Sequence, residues 1–268
     1  HCYAHCKVFL LSESGLIAVG VEDECAWTPP VSLAAQIPNA TSGWGTIYCD
    51  TYVNGSLVST NTCAFQLTVP ASVVPSISNV AISEATAGIA DRFGGYVRTR
   101  SKLSIGITAT GAQGSSISAY RTSIDSVTYS GSSFITNALN TAGNLTMTVT
   151  VTDSRGRTAS TTRTVTVLDY SPPSLSQFSA ERCNDDDSAP QTDGTKVRIS
   201  AKASGSSVGG KNTLACTVYY KLSSAESWVS AVTLAPSNYA ISETNRLLSP
   251  TFDALSSYDI KIRVQDVF

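Results

Sequence analysis

The chain has 268 residues, only 14% of them charged, and its formal net charge at pH 7 is −2. This balance gives no basic surface for nucleic acid or for an anionic membrane, and no apolar run reaches the roughly 18 residues of a membrane-spanning helix. We therefore expect no nucleic-acid partner and no membrane insertion. Methionine occurs once, and stretches rich in β-branched residues and tyrosine lie between glycines and prolines. This composition predicts an all-β protein.

The first six residues, His1–Cys6, contain two histidines and two cysteines, which are ligand types for tetrahedral zinc. In a strand, His1 and His5 would point to one face while Cys2 and Cys6 point to the other, so the four would not converge. We predict an ordinary edge strand here, with a metal site at His1–Cys6 as the alternative.

A hairpin is predicted next, with strands at Thr46–Tyr52 and Leu57–Thr62. Its turn is Asn54-Gly55, the two-residue sequence most typical of a tight β-hairpin. A second hairpin is predicted from Leu145 to Val167, where Asp153-Ser-Arg-Gly156 reverses the chain and Gly156 can adopt positive φ.

An internal repeat covers most of the remaining chain. Its matching segments are Pro75–Val80 with Pro173–Phe178, Lys102–Gly111 with Lys196–Gly205, and Val149–Asp153 with Ile262–Asp266. Each segment alternates apolar and polar residues, as strands with one buried face do. We therefore predict tandem immunoglobulin-like or fibronectin-like antiparallel β-sandwiches.

Proline-rich links at Val69–Pro75 and Leu168–Pro173 suggest the domain boundaries, because proline cannot extend a sheet. The predicted modules are a β-sandwich at 1–72, an Ig-like sandwich at 73–169, and a second Ig-like sandwich at 170–268 that lacks its final strand. The repeat leads us to expect that the chain is part of a longer protein.

An acidic segment, Asn184–Gly194, lies between two predicted strands. Carboxylates at Asp185, Asp187 and Asp193 could hold calcium, although the segment lacks the ordered spacing of an EF-hand loop. A solvated turn is the simpler interpretation.

Seven cysteines without a repeating spacing argue against a disulfide framework. Cys216 shares an alternating face with Leu214, Val218 and Tyr220, which predicts a buried thiol in the core. A bridge between Cys183 and Cys216 is the alternative.

The only histidines are His1 and His5, and no nucleophile motif is present, so we predict a protein that is not an enzyme, with no catalytic, cofactor-binding or metal-binding residues and no cofactor. Exposed aromatics could instead stack on sugars, but we expect most of them to anchor sandwich cores. They are Trp27, Trp44, Trp228, Tyr219 and Tyr220. If sugars do bind, the loops Gly111–Ser118 and Val208–Asn212 are the expected places.

Three segments resemble the long Ig-like repeat proteins of siphophage tail tips and baseplates. Such proteins are found in phages and prophages of Gram-positive bacteria. They are Trp27–Gly43, Asp153–Arg157 and Ser179–Cys183. The resemblance implies a structural component of a bacteriophage tail tip or baseplate, a stiff spacer that supports host attachment. It implies other phage tail or baseplate proteins as partners, host cell-wall carbohydrate as a further candidate, a homo-oligomeric state, and a place in the virion after synthesis in the bacterial cytoplasm. A cell-surface adhesin or carbohydrate-binding module is the alternative.

Overall fold

The computed structural model describes residues 2–10, 13–184 and 190–268 of the chain, and these residues form eighteen strands, one five-residue α-helix and one 3-10 helix. The prediction of an all-β protein is confirmed. The chain forms two compact units. Unit 1 comprises residues 1–83, 103–136 and 146–165, and unit 2 comprises residues 84–102, 137–145 and 166–268.

Unit 1 begins with a four-stranded antiparallel sheet in the order β2-β1-β3-β4. Its strands are β1 (Cys2–Leu10), β2 (Glu13–Val21), β3 (Ser42–Val53) and β4 (Ser56–Thr68), and a 3-10 helix (Val31–Gln36) precedes β3. The predicted turn between β3 and β4 is confirmed, because Asn54 and Gly55 have φ values of 48° and 82°. Both residues thus have the positive φ of a tight hairpin turn.

The prediction of an edge strand at His1–Cys6 is wrong for the described part, because β1 lies between β2 and β3 in the sheet, while His1 lies outside the described residues. Cys6 pairs with Ala18 of β2 on one side and with Cys49 of β3 on the other. β2 was not predicted from the sequence, and its pairing with β1 closes that edge. A β-sandwich was also predicted for residues 1–72, whereas the described strands of this segment form one sheet. Apolar alternation indicates a buried face but does not say what covers it.

A sandwich follows in the same unit, and most of its strands lie there. One sheet has the order β10-β7-β5, and the other contains β12-β11-β8-β9. The strands are β5 (Ser76–Glu84), β7 (Leu103–Thr110), β8 (Ile117–Ile124), β9 (Val127–Ser130), β10 (Ser133–Ile135), β11 (Gly143–Asp153) and β12 (Thr158–Leu168). Counted along this sandwich, the first, second and fifth strands form one sheet and the other four form the second. This is the arrangement of immunoglobulin-like and fibronectin-like sandwiches.

The alternation predicted for this sandwich is confirmed. Leu103, Ile105 and Ile107 on β7 are buried, as are Met147 and Val149 on β11, while the residues between them are more exposed. The hairpin predicted from Leu145 to Val167 is formed by β11 and β12, and Gly156 in its turn has φ 79°.

Unit 2 contains α1 (Ile89–Phe93) and the short strand β6 (Tyr96–Val97), which pairs in parallel with the end of β12 at Val167 and Leu168. Its two larger sheets have the orders β13-β14-β17 and β16-β15-β18. The strands are β13 (Ser174–Cys183), β14 (Lys196–Ser204), β15 (Ala215–Leu222), β16 (Val229–Leu234), β17 (Ala240–Leu247) and β18 (Tyr258–Gln265). Six described strands here repeat the order of the first six in the other sandwich, as the internal repeat predicts.

The core of this second sandwich draws on both sheets. Val197, Ile199 and Ala201 of β14 and Val218 of β15 are buried in one apolar cluster. Cys216 lies in the same cluster with no exposed surface, so its predicted core role is confirmed. Cys183 is also buried, and the two cysteines are not joined by a disulfide.

Candidate functional site

The hairpin turn between β11 and β12 is organised by Asp153, whose side chain is only 1% exposed. Its Oδ1 accepts hydrogen bonds from the backbone N–H groups of Arg155 (3.0 Å) and Arg157 (2.9 Å), and its Oδ2 accepts one from the Ser115 hydroxyl (3.0 Å). The buried carboxylate is thus hydrogen-bonded from three sides, as burial of a charge requires. These bonds fix the directions in which the two arginine side chains leave the turn.

Arg155 is 7% exposed and donates to four backbone carbonyls. Its Nε donates to Ile37 O (2.9 Å), its Nη1 to Ala112 O (2.6 Å), and its Nη2 to Ala34 O (2.7 Å) and Gln113 O (2.5 Å). Two of the acceptors belong to the 3-10 helix and the residue after it, and the other two belong to the loop after β7. The planar guanidinium therefore joins three separate segments of unit 1 through charge-assisted bonds.

Close backbone contact at the same place reinforces these bonds. The Ser154 hydroxyl donates to Pro38 O (2.6 Å). Gly114 lies so near the 3-10 helix that a Cβ atom there would come within 3.0 Å of Ala35 O. Beside these contacts, Ala34 and Ile37 pack in a small buried cluster with other apolar residues of unit 1.

Arg157 holds the proline-rich segment that follows β4. Its Nη1 donates to Val73 O (2.8 Å) and to Pro70 O, and its Nη2 donates to Val69 O (2.5 Å). Val69 and Val73 are buried in the cluster that contains Ala34. The segment predicted as a link is therefore fastened to the β11–β12 turn by three hydrogen bonds.

Unit 2 contains a related turn after β18. Asp266 accepts a hydrogen bond from the backbone N–H of Phe268 (2.9 Å) and one from Asn212 Nδ2 (3.4 Å). Phe268 stands two residues after Asp266, as Arg155 stands two residues after Asp153. The repeat thus preserves the carboxylate that orders the turn while it changes the side chain that leaves it.

Phe268 packs in an aromatic cluster of unit 2. Its ring stacks on Phe93 (centroids 5.0 Å apart) and contacts Tyr170 (4.5 Å). The Arg100 guanidinium lies 4.9 Å from the centroids of both the Tyr170 and the Phe268 rings, and its Nη2 donates to Tyr170 Oη (3.1 Å). Burial raises the pKa of the Tyr170 hydroxyl, and the nearby Asp266 carboxylate adds to this shift, although the bond from Arg100 opposes it. The second turn therefore makes aromatic and cation–π contacts where the first makes hydrogen bonds.

Polar contacts of unit 2 surround this cluster. Arg98 donates to Tyr170 O (2.9 Å) and forms an ion pair with Asp169 (3.0 Å). Lys211 Nζ donates to Phe93 O (3.1 Å), and Val208 is buried in the same apolar cluster as Phe93 and Tyr170.

Each loop named as a candidate place for sugar binding makes some of its contacts within the protein. Ala112 O and Gln113 O accept bonds from Arg155, and Ser115 is 8% exposed. In the other loop, Val208 and Asn212 are 1% and 5% exposed. Other residues of the two loops are exposed, among them Ser116, Ser118, Gly209 and Gly210, so neighbouring segments cover the loops only in part.

The five aromatic residues proposed for sugar stacking are divided between core and surface. Tyr220 packs against the core of the second sandwich, beside Phe252. Trp27 contacts the Phe65 ring edge-on. Trp228 is covered by Lys261, whose Nζ lies 4.0 Å from the ring centroid, and Lys261 also lies 5.5 Å from Tyr219. The fifth residue, Trp44, is 65% exposed on β3.

The two segments named as alternative cation sites are described only in part. Of the proposed calcium ligands, Asp185 and Asp187 lie outside the described residues, and Asp193 is exposed. In the N-terminal segment, His1 also lies outside them, while Cys2 and His5 lie on β1. No group of three or more His, Cys, Asp or Glu side chains suited to a metal ion occurs within residues 2–10, 13–184 and 190–268. Within the same ranges, no helix is long and apolar enough to cross a membrane.

A polar cleft of about 610 Å³ lies in unit 2 between β13 and β18. Arg182, which lines it, donates to the carbonyls of Gly194 (2.9 Å) and Ser256 (2.6 Å), and Glu181 is paired with Arg198 (3.0 Å). Both charged side chains are thus bonded to groups of the protein itself.

Fold and contacts together define a protein built from Ig-like sandwiches whose turns hold neighbouring segments in place. Residues 5–268 match the sequence model of a family described as "Siphovirus protein of unknown function (DUF859)". The chain belongs to this family of siphovirus proteins. No curated protein sequence matches it.

Several solved structures of repeat proteins are similar in fold. One is a Ca²⁺-stabilised adhesin that helps an Antarctic bacterium bind ice, with 12% identity and a TM-score of 0.33. The match covers 99% of this chain and 65% of the adhesin chain, slightly less than two thirds of its length. Another is a tandem-repeat region of a large adhesion protein, with 13% identity, a TM-score of 0.27, and coverage of 99% of this chain and 67% of that one. A stretch of titin domains has 13% identity and a TM-score of 0.28, with coverage of 84% and 69%. Such distant likeness carries no argument about function.

Proposed function

We propose that this chain is a structural component of the siphovirus tail, in the tail tip or baseplate, where it serves as a stiff Ig-like spacer that supports host attachment. Membership of a siphovirus protein family supports a role in the phage. In this proposal the domains are the three predicted modules, 1–72, 73–169 and 170–268, the protein is not an enzyme, and its partners are other tail or baseplate proteins and further copies of itself.

The observation that carries the proposal is the fastening of three segments by Arg155. A spacer transmits position only if its links do not bend freely, and a link without tertiary contacts would do so. Arg155 and Arg157 together donate to seven backbone carbonyls on both sides of the predicted boundary at Val69–Pro75. Charge-assisted bonds to several backbone acceptors, two of them buried, leave little freedom to bend.

The location can be tested on purified particles of the phage that encodes the chain. We expect peptides of the chain in the mass spectrum of virions purified on a density gradient, and gold-labelled antibodies against it at the distal end of the tail. An antibody against the major capsid protein provides the control, because it should label heads only. If the chain is abundant in infected-cell lysates but absent from purified virions, the structural role is wrong.

A second candidate function, a cell-surface adhesin or carbohydrate-binding module, is favoured by the exposed indole of Trp44. A flat exposed aromatic ring can stack on the apolar face of a sugar. Trp228 offers a matched control, because Lys261 covers its ring. Binding to cell-wall glycans that is lost in Trp44→Ala and retained in Trp228→Ala would favour this candidate, whereas no binding by the wild-type chain would exclude it for the glycans tested.

A further inference from the structure

Two cysteines face each other directly across β1 and β3. Cys6 pairs with Cys49 in the antiparallel register, and their Sγ atoms are 3.7 Å apart. Opposed residues of antiparallel strands have Cα atoms about 4.5–5.5 Å apart, and disulfides span about 4.4–6.8 Å between Cα atoms. The backbone spacing of the two strands is therefore compatible with a disulfide.

Only the side chains need to move for this bond to form. A disulfide has an S–S length of about 2.05 Å, so the sulfurs must approach each other from 3.7 Å by rotation about their Cα–Cβ bonds. The thiols already point towards each other, since one lies in hydrogen-bonding position to the other.

Among the side chains of this sheet that the structure describes, few are buried. β4 is exposed along most of its length, and Val19 of β2 and Leu57 of β4 are more than half exposed. The buried apolar cluster of this region is formed by Ala34, Ile37, Val69 and Val73, none of which lies on β1 or β3. A covalent bond between β1 and β3 would thus stabilise a part of the sheet where burial contributes little.

We propose that Cys6 and Cys49 form a cross-strand disulfide when the chain meets a low-molecular-weight disulfide such as oxidised glutathione. One protein thiol loses its proton, and its thiolate attacks that disulfide, forming a mixed disulfide and releasing one small thiolate. The second protein thiolate then attacks the protein sulfur of the mixed disulfide and releases the other small thiolate. The protein loses two protons and two electrons, and the reagent is reduced to two thiols.

Other cysteines of the chain could form a disulfide with Cys6 or Cys49 in place of this pair. Cys2 and Cys63 lie opposite Val53 and Ile47, so neither has a cysteine as its direct cross-strand neighbour. Burial raises the pKa of the Cys6 thiol, and Cys49 raises it further through hydrogen bonding and charge. Cys25 raises the pKa slightly further through its charge, so the test must distinguish a Cys6–Cys49 bond from a Cys6–Cys25 bond. A raised thiol pKa means that the bond should form faster as the pH is increased.

The test uses the purified chain of 268 residues. It is incubated with oxidised glutathione, alkylated under denaturing conditions and digested for peptide mass spectrometry. We expect a Cys6–Cys49-linked peptide that disappears on reduction. We also expect amide hydrogen exchange in β1 to slow by at least about tenfold relative to the reduced chain, since disulfides typically stabilise by more than one factor of ten.

Matched variants distinguish this pair from nonspecific oxidation. Cys49→Ser should lose both the linked peptide and the slower exchange, while Cys63→Ser should keep both. The proposal is overturned if Cys6 and Cys49 are each alkylated separately in the oxidised wild-type chain, or if Cys6 is found linked to Cys25. Because the peptide map is made on the wild-type chain, this result stands even if a variant does not fold.

Discussion

Replacement of Arg155 by alanine tests the fastening of unit 1 at a single residue. The variant removes four hydrogen bonds from a charged donor that is 7% exposed. One hydrogen bond to a charged group contributes about 1.5–3 kcal/mol. The contributions of the four bonds do not simply add, because water can bond to some of the carbonyls that lose the guanidinium. We expect Arg155→Ala to destabilise the local structure by about 3–5 kcal/mol.

The assay is amide hydrogen exchange, because a chain with two compact units need not unfold in one transition. The amide of Ile37, which donates to Ala34 O, reports on the end of the 3-10 helix. A loss of about 3 kcal/mol corresponds to exchange faster by more than about a hundredfold when that segment opens locally.

Arg163→Ala is the matched control. Arg163 lies exposed on β12 and bonds to its near neighbours Thr161 and Thr162, so its removal should change stability by no more than about 0.5 kcal/mol. If Arg155→Ala changes the exchange of Ile37 no more than the control does, Arg155 does not hold these segments together and the reasoning is refuted.

Three further predictions concern other parts of the chain. Burial raises the pKa of Tyr170 in the folded chain above its usual value of 10.0, so the contribution of its neutral hydroxyl to stability is complete below pH 10 and is lost as the pH rises through the folded-state pKa. When the free energy of unfolding is measured against pH, the wild type should therefore lose stability relative to Tyr170→Phe above about pH 10. Parallel curves for the two proteins would contradict this. Gly111→Ala should lower the free energy of unfolding by at least about 1–3 kcal/mol, because its Cβ would lie 1.9 Å from the backbone oxygen of Ser115. Gly95→Ala should be much milder, because its Cβ would lie 3.9 Å from the nearest atom, Cδ1 of Leu168. Equal midpoints of urea unfolding for the two variants would refute this difference. Cys216→Ser should lower the free energy of unfolding by about 1–3 kcal/mol, because it buries a hydroxyl in an apolar core. Cys63→Ser, at an exposed site, should leave thermal unfolding nearly unchanged. An equal loss of stability in both variants would show that burial is not the cause.

Local features of the fold were predictable because their signals lie within a few residues. Asn54-Gly55 and Gly156 mark their turns by a conformational need for positive φ, which few other residues meet. The alternation of Leu103, Ile105 and Ile107 likewise identifies a buried strand face without knowledge of what covers it.

Long-range contacts were not predictable in the same way. The Asp153–Arg157 segment signals a turn, but nothing near it indicates that Arg155 reaches Ala34 and Ile37, more than a hundred residues away in sequence. A useful signal was present in the repeat, since Asp153 and Asp266 occupy corresponding positions. The residues two positions later, Arg155 and Phe268, are the ones that contact neighbouring segments.

The position of β1 within its sheet could not be predicted from the sequence pattern. The alternating pattern of residues 1–6 is consistent with either an edge or an interior strand, because the side-chain period is the same in both. The register with β2 and β3 decides the matter, and it also brings Cys6 beside Cys49. Pairing partners depend on the whole sheet, so the cysteine pair could not be found from spacing alone.

Cryo-electron microscopy of the intact siphovirus particle tests the proposed role most directly. The account predicts density at the tail tip or baseplate into which the β5–β12 sandwich fits with the Asp153–Arg157 turn against the 3-10 helix of residues 31–36. A fully resolved tail, tip and baseplate in which no density accommodates this sandwich would contradict it.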